Sequence, residues 1–346
     1  MITPAIKIDS LTIGYTNKKQ YTKVAQNINA SFYAGELTSL IGPNGIGKST
    51  LLRTISKLQL KHKGDIYLYD QNLNDIKKNQ LATMLSVVLT ERPTIYNITV
   101  KEMIGMGRSP YTNYWGTWSK SDELIISEAV KMVGVEKLTH RKFDTLSDGE
   151  KQKVMIAKAL AQQTPIIILD EPTSFLDYPS KIELMQLLHR LTQEMQKTIL
   201  FSTHDLDLAL QVCDKMALMD SDKITIGTPE DLSLNNQLTY YLKSEGITFD
   251  SQRGLFKVKH KVQRGIRITG SGVSYNMVQK ALQRKGILSH KTIASKGYIS
   301  IDNKCYTLHT PNSQDQTTTT SIEQLLNLPE LLSATIPLSE LSHHKE

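Results

Sequence analysis

The stretch Gly42-Pro43-Asn44-Gly45-Ile46-Gly47-Lys48-Ser49-Thr50 fits the pattern G-x-x-x-x-G-K-[ST] and lies between a strand-like and a helix-like segment. Glycines let the backbone curl tightly enough for several N–H groups to converge on a triphosphate. The helix that follows directs the positive end of its dipole at the same phosphates. Lys48 would add a point charge at the β- and γ-phosphates, and the Ser49 hydroxyl is placed to bind Mg²⁺. The alternative, a glycine turn followed by a surface lysine, does not account for the flanking strand and helix.

A pair of acids follows the short apolar run 166–169. Such a run is typical of a buried parallel strand, and ligands bind beyond the carboxyl ends of these strands. Asp170 is therefore the expected Mg²⁺ partner, directly or through water. Glu171 can reach the attacking water and polarise it as the general base. The competing interpretation is an acid pair that caps a helix or lies in a loop.

Strand-like and helix-like segments alternate up to about residue 250, which predicts an α/β fold with a parallel sheet and right-handed crossovers. The predicted strands are 5–14, 30–32, 37–41, 64–69, 85–89, 166–169 and 198–202, and the predicted helices are 51–58, 122–133, 151–162, 182–195 and 206–213. After Phe256 the pattern restarts with a strand at 265–268, a helix at 275–284, a hairpin at 292–306 and a helix at 322–332. Residues 311–321, with four consecutive threonines, are expected to form a polar linker.

Charge divides the chain near residue 250. Residues 251–310 carry eight Lys and four Arg against one acid, a net charge of 12 − 1 = +11, whereas the whole chain is +7 and the remainder is therefore −4. The prediction is a basic accessory α+β domain at 255–346. Its charge could face anionic lipid, an acidic partner or nucleic acid, or could simply be solvated. Nucleic acid is disfavoured because its tyrosines are too scattered to form an RNA-binding motif.

Composition excludes several classes of protein. No apolar stretch approaches the ~18–20 residues that a membrane span needs. The N-terminus lacks the basic-then-apolar pattern of a signal peptide, which argues against export. The two cysteines, Cys213 and Cys305, form neither a metal spacing nor a disulfide framework, as expected in a reducing cytoplasm.

A third motif, Leu146-Ser147-Asp148-Gly149-Glu150, lies between the glycine-rich loop and the acid pair. This order of motifs resembles the ABC-transporter ATPase family, whose signature reads L-S-G-G-Q. The resemblance covers roughly residues 5–250 and implies the P-loop NTPase fold of an ABC ATPase. That fold has a parallel-sheet core, an antiparallel β subdomain and a helical signature subdomain at about 90–163, all within a domain of residues 1–254.

The resemblance also implies the cofactors, ATP and Mg²⁺, and a head-to-tail homodimer. In the family, the signature faces ATP bound to the other subunit, and the loop 174–177 contacts that subunit. His204 resembles the switch histidine that touches the γ-phosphate, and Tyr15 resembles the aromatic residue that stacks on adenine. The implied catalytic residues are Glu171, His204 and Lys48. The implied nucleotide-binding residues are Tyr15, Gly42, Pro43, Asn44, Gly45, Gly47, Lys48, Ser49, Thr50, Leu146, Ser147, Asp148, Gly149, Glu150 and Asp177, and the implied metal-binding residues are Ser49, Asp170 and Thr90.

The sequence departs from the family pattern at three positions. Asp148 and Glu150 replace Gly and Gln of the signature, and two added carboxylates should weaken closure on a triphosphate unless they point away or meet cations such as Lys151 or Lys153. Thr90 stands where the family has a glutamine that reaches Mg²⁺. Threonine is too short to span that gap, so a bridging water or the neighbouring Glu91 would serve.

The stretch Gly107-Arg108-Ser109-Pro110-Tyr111, followed by Trp115 and Trp118, resembles the iron-siderophore, haem and cobalamin importer branch. Exposed aromatic residues beside Arg108 would form a groove for the coupling helix of a partner. Alternatively, the tryptophans pack the helical subdomain, and Arg108 and Tyr111 form a local surface pair.

The resemblance implies an ATPase that powers an importer from the inner face of the cell membrane, where it is peripheral and cytoplasmic. Its partners would be membrane-spanning permease subunits, a second copy of itself and, indirectly, a periplasmic or lipid-anchored binding protein. The alternative is a soluble ABC ATPase factor that acts on the ribosome or nucleic acid, although such relatives usually carry two cassettes or a long coiled-coil insertion. A third possibility is a chain that binds ATP but hardly hydrolyses it.

Overall fold

A computed structural model describes residues 3–17, 20–90, 95–112, 116–241, 247–250, 255–310 and 316–341. The chain divides into two compact units. The first comprises Met1–Tyr241 and Asp250–Leu255, and the second comprises Leu242–Phe249 and Phe256–Glu346.

The first unit contains ten strands and nine helices in its described residues. The strands are β1 Pro4–Asn17, β2 Gln20–Tyr33, β3 Leu37–Ile41, β4 Lys63–Leu68, β5 Gln71–Asn72, β6 Leu85–Val88, β7 Ile166–Leu169, β8 Thr198–Ser202, β9 Lys215–Met219 and β10 Ile224–Gly227. The helices are α1 Lys48–Ile55, α2 Lys78–Met84, α3 Val100–Gly105, α4 Lys120–Val133, α5 Asp148–Ala161, α6 Tyr178–Met195, α7 Leu206–Val212, α8 Pro229–Leu234 and α9 Gln237–Tyr241. Short 3-10 turns lie between α3 and α5.

Strands β1, β2, β4 and β5 form an antiparallel sheet in the order β2-β1-β4-β5. The apolar residues of β1 are spaced by two except between Ile8 and Leu11, where the spacing is three. The register against β2 shifts between these two residues, and Ser10 adopts a positive φ of 48°. A β-bulge therefore absorbs the extra residue and keeps both side chains in the core.

The second sheet has the order β10-β9-β3-β8-β7-β6. Strands β3, β6, β7, β8 and β9 run parallel, and β10 pairs antiparallel with β9. Every residue of β3, β7 and β8 is buried, which is why these segments read as continuous apolar runs. The segments that follow β3, β7 and β8 meet at one edge of this sheet, and they carry the predicted nucleotide-binding residues.

Helices α3, α4 and α5 form the segment between β6 and β7. Ser119 and Ser147 cap α4 and α5, each in a capping box with the acid three residues later. Both helices consequently begin two or three residues earlier than apolar periodicity alone predicts.

Both interpretations of Arg108 placed it at the surface, and that position is wrong. Its side chain is only 5% exposed, and Nε donates to Asp122 Oδ1 at 2.7 Å while Nη1 donates to the Ala161 carbonyl oxygen at 2.9 Å. Its guanidinium also lies 4.1 Å from the Tyr111 ring centroid. Arg108 is thus an internal ion-pair partner that joins the start of α4 to the end of α5.

Trp118 packs inside the helical segment. A Cβ atom on Gly105 would lie 1.9 Å from the Trp118 indole, so the ring rests directly on the backbone of α3. This contact agrees with the packing alternative for Trp118. Trp115 and Glu91 lie outside the described residues.

The second unit is a small α+β domain. Its strands are β13 Arg264–Thr269, β14 Ile287–His290, β15 Tyr298–Asp302, β16 Cys305–His309, β17 Thr317–Thr319 and β18 Ile336–Pro337, and its helices are α10 Gly272–Arg284, α11 Ile322–Leu326, α12 Leu331–Ala334 and α13 Leu338–Leu341. A separate pair, β11 Ile247–Asp250 and β12 Leu255–Val258, forms a two-stranded sheet. The main sheet has the order β14-β13-β15-β16-β17, and β18 also pairs with β13. The core lies between this sheet and helices α10 to α12.

Three predictions in the second unit need correction. Thr317–Thr319 form an edge strand against β16, not a linker, because β-branched threonine suits a half-exposed strand. The hairpin starts at Tyr298, since Ser295 Oγ bonds the Arg267 amide and holds the preceding residues in a loop. The last predicted helix is two short helices, α11 and α12, separated by a turn near Pro329.

No helix in the described ranges is long and apolar enough to cross a membrane.

Candidate functional site

The glycine-rich loop joins β3 to α1. Gly45 and Gly47 have positive φ angles of 79° and 110°, which L side chains rarely adopt. A Cβ atom on Gly47 would also lie 2.4 Å from Val24 Cγ1 on β2. Glycine at position 47 is therefore required by both conformation and space. Pro43, Asn44 and Gly45 form the exposed tip of the loop.

Lys48, the first residue of α1, folds back over the start of this loop. Its Nζ donates to the carbonyl oxygens of Gly42 at 2.7 Å and Pro43 at 3.1 Å, and the side chain is buried. Burial lowers the pKa of Lys48, and the charges of Glu171 and Asp170 partly offset this effect. The ammonium group thus lies beside the concave side of the loop and close to two carboxylates, where it can meet a phosphate.

One hydrogen-bonded cluster joins the loop to the acid pair. Asp170 Oδ1 accepts from Ser49 Oγ at 2.9 Å and from Ser202 Oγ at 2.7 Å. The Ser202 oxygen in turn accepts from the Glu171 amide at 2.9 Å. Ser202 therefore links both acids to the end of β8. The sequence analysis missed this serine, although its position two residues before His204 was an available signal.

Glu171 is held on both carboxylate oxygens. Oε1 lies 2.9 Å from His204 Nε2, and Oε2 accepts from Ser174 Oγ at 3.0 Å. The backbone of Glu171 has a positive φ of 49°. A left-handed conformation at a non-glycine residue is costly, and such strain clusters at functional sites. Ser174 is a second residue that sequence reasoning did not assign to this carboxylate.

Tyr15 lies near the loop from the antiparallel sheet. Its hydroxyl forms a hydrogen bond with Thr50 Oγ1, and half of its side chain is exposed. This bond holds the tyrosine beside the first turn of α1 while leaving ring surface open to solvent.

The signature residues begin α5. Ser147 Oγ accepts from the Glu150 amide at 3.3 Å, and the Glu150 carboxylate accepts from the Ser147 amide at 2.9 Å. Glu150 Oε1 also lies 3.2 Å from Arg141 Nη1. The helix cap, and secondly Arg141, hold the pKa of Glu150 below its usual value. Its charge is therefore met by Arg141 rather than by Lys151 or Lys153.

The other signature residues differ in exposure. Leu146 is buried in the core, whereas Asp148 is exposed. A Cβ atom on Gly149 would lie 3.3 Å from Leu176 Cδ2, so the signature packs closely on the loop that follows Glu171. In that loop Asp177 caps α6 by accepting from the Ser180 amide at 3.2 Å.

Thr90 follows β6, the strand beside β7. Its hydroxyl donates to the Asp170 carbonyl oxygen at 3.0 Å, not to a carboxylate. The Thr90 oxygen keeps lone pairs at the rim of the site, but the side chain is fixed to the backbone of the acid pair.

The residues present fit a magnesium ion. Ser49 Oγ and Asp170 Oδ1 already lie 2.9 Å apart, and both are hard oxygen donors of the kind that Mg²⁺ prefers. These two groups would hold the ion, which when bound would neutralise phosphate charge.

A phosphate loop after β3, a fixed carboxylate pair after β7 and a histidine after β8 all lie at one edge of a mostly parallel sheet. This arrangement defines a phosphate-loop nucleoside triphosphatase.

Comparisons with known proteins narrow this class. Residues 25–174 match the model for "ABC transporter", and residues 263–328 match "Iron ABC transporter C-terminal domain". An uncharacterized ABC transporter ATP-binding protein from Methanocaldococcus jannaschii is 38% identical over 284 residues, covering 81% of this chain and 97% of that protein. The chain belongs to the ATP-binding proteins of ABC transporters. It is thus an ATP-binding subunit that hydrolyses ATP.

Further relatives are import proteins. The petrobactin import ATP-binding protein of Bacillus anthracis is 36% identical, with 69% of this chain and 89% of that protein covered. The ferric enterobactin transport ATP-binding protein of Escherichia coli is 35% identical, with 65% and 82% covered. Among solved structures, a dimeric ABC cassette bound to ADP and phosphate has a TM-score of 0.58 at 28% identity, covering 64% of this chain and 98% of that one. These findings confirm the predicted fold class and the resemblance to the iron-siderophore branch.

Proposed function

We propose that this chain is the ATPase of an importer that takes up ferric siderophores. The observation that carries the proposal is the match of residues 263–328 to the iron-transporter C-terminal domain, together with relatives named for petrobactin and enterobactin. The relatives give no support to a soluble factor acting on the ribosome or nucleic acid. We also propose a peripheral position on the inner face of the membrane, with a binding protein outside delivering the chelate to the permease.

Glu171 is the proposed general base. Its carboxylate is fixed by His204 and Ser174, so it can accept a proton from a water molecule aligned with the γ-phosphate. Lys48 and the loop amides bind the phosphates, and Ser49 and Asp170 hold Mg²⁺. His204 orients Glu171 and lies where a γ-phosphate would contact it. Tyr15 offers its exposed ring face to adenine.

A second copy of the chain is the proposed partner across the nucleotide. Ser147 keeps its own hydroxyl proton for donation after accepting from the Glu150 amide, and the α5 N-terminus favours an anion. Phe175 and Tyr178 on either side of Asp177 are 66% and 63% exposed, as expected of residues that a partner covers.

The permease is proposed to dock in a groove of about 910 Å³ between the end of α1, helix α2, strand β6 and helix α5. Its lining combines apolar side chains with three lysines. The lining includes Leu58, Leu81, Leu85, Val87, Leu89, Met155, Lys57, Lys78 and Lys158. Leu58 is 60% exposed, and a groove of this kind fits an amphipathic helix with acidic residues on its polar face. The groove lies beside Thr90, which connects it to the acid pair through the Asp170 carbonyl.

Uptake of radiolabelled iron in a disruption strain tests the cargo. Complementation with the parental chain should restore uptake of iron bound to a catecholate or hydroxamate chelator, and complementation with Glu171→Gln should not. Uptake of a labelled amino acid serves as the control for general energy supply. Unchanged iron uptake in the disruption strain, or co-sedimentation of the chain with ribosomes instead of membranes, would contradict the proposal.

The docking groove has its own test. Leu58→Asp should abolish co-purification with the detergent-solubilised permease while ADP binding stays unchanged. Leu124→Asp is the matched control, because Leu124 is 67% exposed on α4 outside the groove. Equal loss of co-purification in both variants would refute docking at this groove.

A further inference from the structure

The tyrosine that ends α9 lies against the base of the phosphate loop. The single hydroxyl proton of Tyr241 is shared between two carbonyl oxygens, that of Met219, which is the nearer, and that of Ile41, 3.1 Å away. Ile41 and Met219 end the neighbouring parallel strands β3 and β9. The hydroxyl therefore bridges the two strands where the chain leaves the sheet and enters the loop.

The contact reaches the loop itself. A Cβ atom on Gly42 would lie 3.1 Å from the Tyr241 oxygen and 2.7 Å from Ile46 Cγ2, so the tyrosine closes the space around the first loop residue. The Gly42 carbonyl is in turn the acceptor for Lys48 Nζ at 2.7 Å. A displacement of the loop base would thus move an acceptor that sets the position of the phosphate-binding ammonium.

Packing holds the tyrosine ring independently of its hydroxyl. The neighbouring Leu238 on α9 is fully buried, and the Tyr241 side chain is itself half-buried. Burial, and secondly the charge of Asp220, raise the pKa of Tyr241 above its usual value. The hydroxyl consequently stays protonated at neutral pH, and its removal by Tyr241→Phe leaves the ring in place.

We propose that Tyr241 is a positioning residue for the nucleotide, acting by fixing the base of the phosphate loop. Leu242, the next residue along the chain, belongs to the second unit, and the chain returns to the first unit at Asp250–Leu255. Tyr241 therefore lies where the chain first leaves the ATPase unit. This inference rests on the phosphate loop as the nucleotide site.

Calorimetric titration of the full chain with Mg²⁺ and ADP tests the proposal without requiring a permease. Loss of one hydrogen bond at the loop base should weaken ADP binding about three- to tenfold in Tyr241→Phe. KM for ATP should rise by a similar factor while kcat changes little, because the Glu171 cluster is untouched. Tyr33→Phe removes the hydroxyl of a tyrosine 39% exposed at the end of β2 and should match the parental chain.

The outcomes distinguish the role of Tyr241 from the assignment of the phosphate loop as the nucleotide site. If Tyr241→Phe lowers the melting temperature but binds ADP as tightly as Tyr33→Phe, the tyrosine is only structural and the proposal is overturned. Lys48→Ala should lose ADP binding in the same titration. Retained affinity in Lys48→Ala would instead refute the loop as the nucleotide site, and the inference about Tyr241 with it.

Discussion

Replacing Ser202 by alanine removes a side chain that bonds both acids of the site. Ser202 is fully buried, donates to Asp170 Oδ1 at 2.7 Å and accepts from the Glu171 amide at 2.9 Å. A hydrogen bond to a charged group contributes about 1.5–3 kcal/mol, and a buried N–H left without an acceptor costs about 1–3 kcal/mol. Because Ser49 still donates to Asp170, we expect a value in the lower half of the combined range, about 3 kcal/mol.

The loss of these hydrogen bonds should lower both the melting temperature and the rate of ATP hydrolysis. For a unit of this size, about 3 kcal/mol corresponds to a fall in melting temperature of about 6–12 °C. The left-handed backbone of Glu171 would also lose its amide contact, and a carboxylate misplaced by about 1 Å lowers turnover on the order of a hundredfold. Differential scanning calorimetry and a phosphate-release assay on the purified chain measure the two effects.

Thr198→Val is the matched control. Thr198 lies on the same strand and is equally inaccessible, but its Oγ1 has no hydrogen-bond partner among the residues that the structure describes. Exchanging that hydroxyl for a methyl group should be neutral or stabilising. If Ser202→Ala and Thr198→Val gave the same melting temperature and the same rate, the assignment of Ser202 to both acids would be refuted.

Three other substitutions test further parts of the structure. Glu171→Gln should lower phosphate release about 10²- to 10⁴-fold while ADP affinity, measured by calorimetry, stays unchanged; equal rates would exclude Glu171 as the base. Asp122→Asn should cost about 3–5 kcal/mol in urea unfolding at neutral pH, because it leaves Arg108 buried without its counter-charge. The hydrogen bonds of Ser119, and then Arg108, lower the pKa of Asp122 from 3.8 to about 2. Its contribution to the free energy of unfolding is therefore full above pH 3.8 and is lost as the pH falls through 2. This acid-dependent loss should be missing from the unfolding curve of Asp122→Asn. Gly47→Ala should abolish ADP binding. Adding Val24→Ala should restore little of that binding, because it relieves the steric contact but not the positive φ. Full recovery in the double variant would show that the steric contact alone requires glycine at position 47.

Local patterns were enough to predict the phosphate loop and the acid pair. Each motif is contiguous in the sequence. Each also follows a strand that can be recognised from its run of apolar residues. The signature helix was also predicted, but its first turn depends on the cap between Ser147 and Glu150, which apolar periodicity does not show.

Contacts between distant residues were beyond the sequence patterns. The role of Ser202 depends on β7 lying beside β8, and that of Tyr241 on α9 lying beneath β3. Arg108 was predicted at the surface from the neighbouring aromatic residues and the resemblance to the importer branch, yet its partners lie 14 and 53 residues further along the chain. Composition gave a wrong prediction at 317–319. The polar threonines there suggested a linker, but their branched Cβ atoms favour a strand.

The burial of Arg108 bears on how such subunits could be retargeted. A stretch that helps to mark a transporter lineage is here part of the scaffold, since its cation is enclosed by Asp122 and the end of α5. Grafting that stretch onto another cassette should change the stability of the helical segment of that cassette. It should not change which permease the cassette recognises. Under the docking proposal, permease specificity would be redesigned on the exposed apolar surface around Leu58.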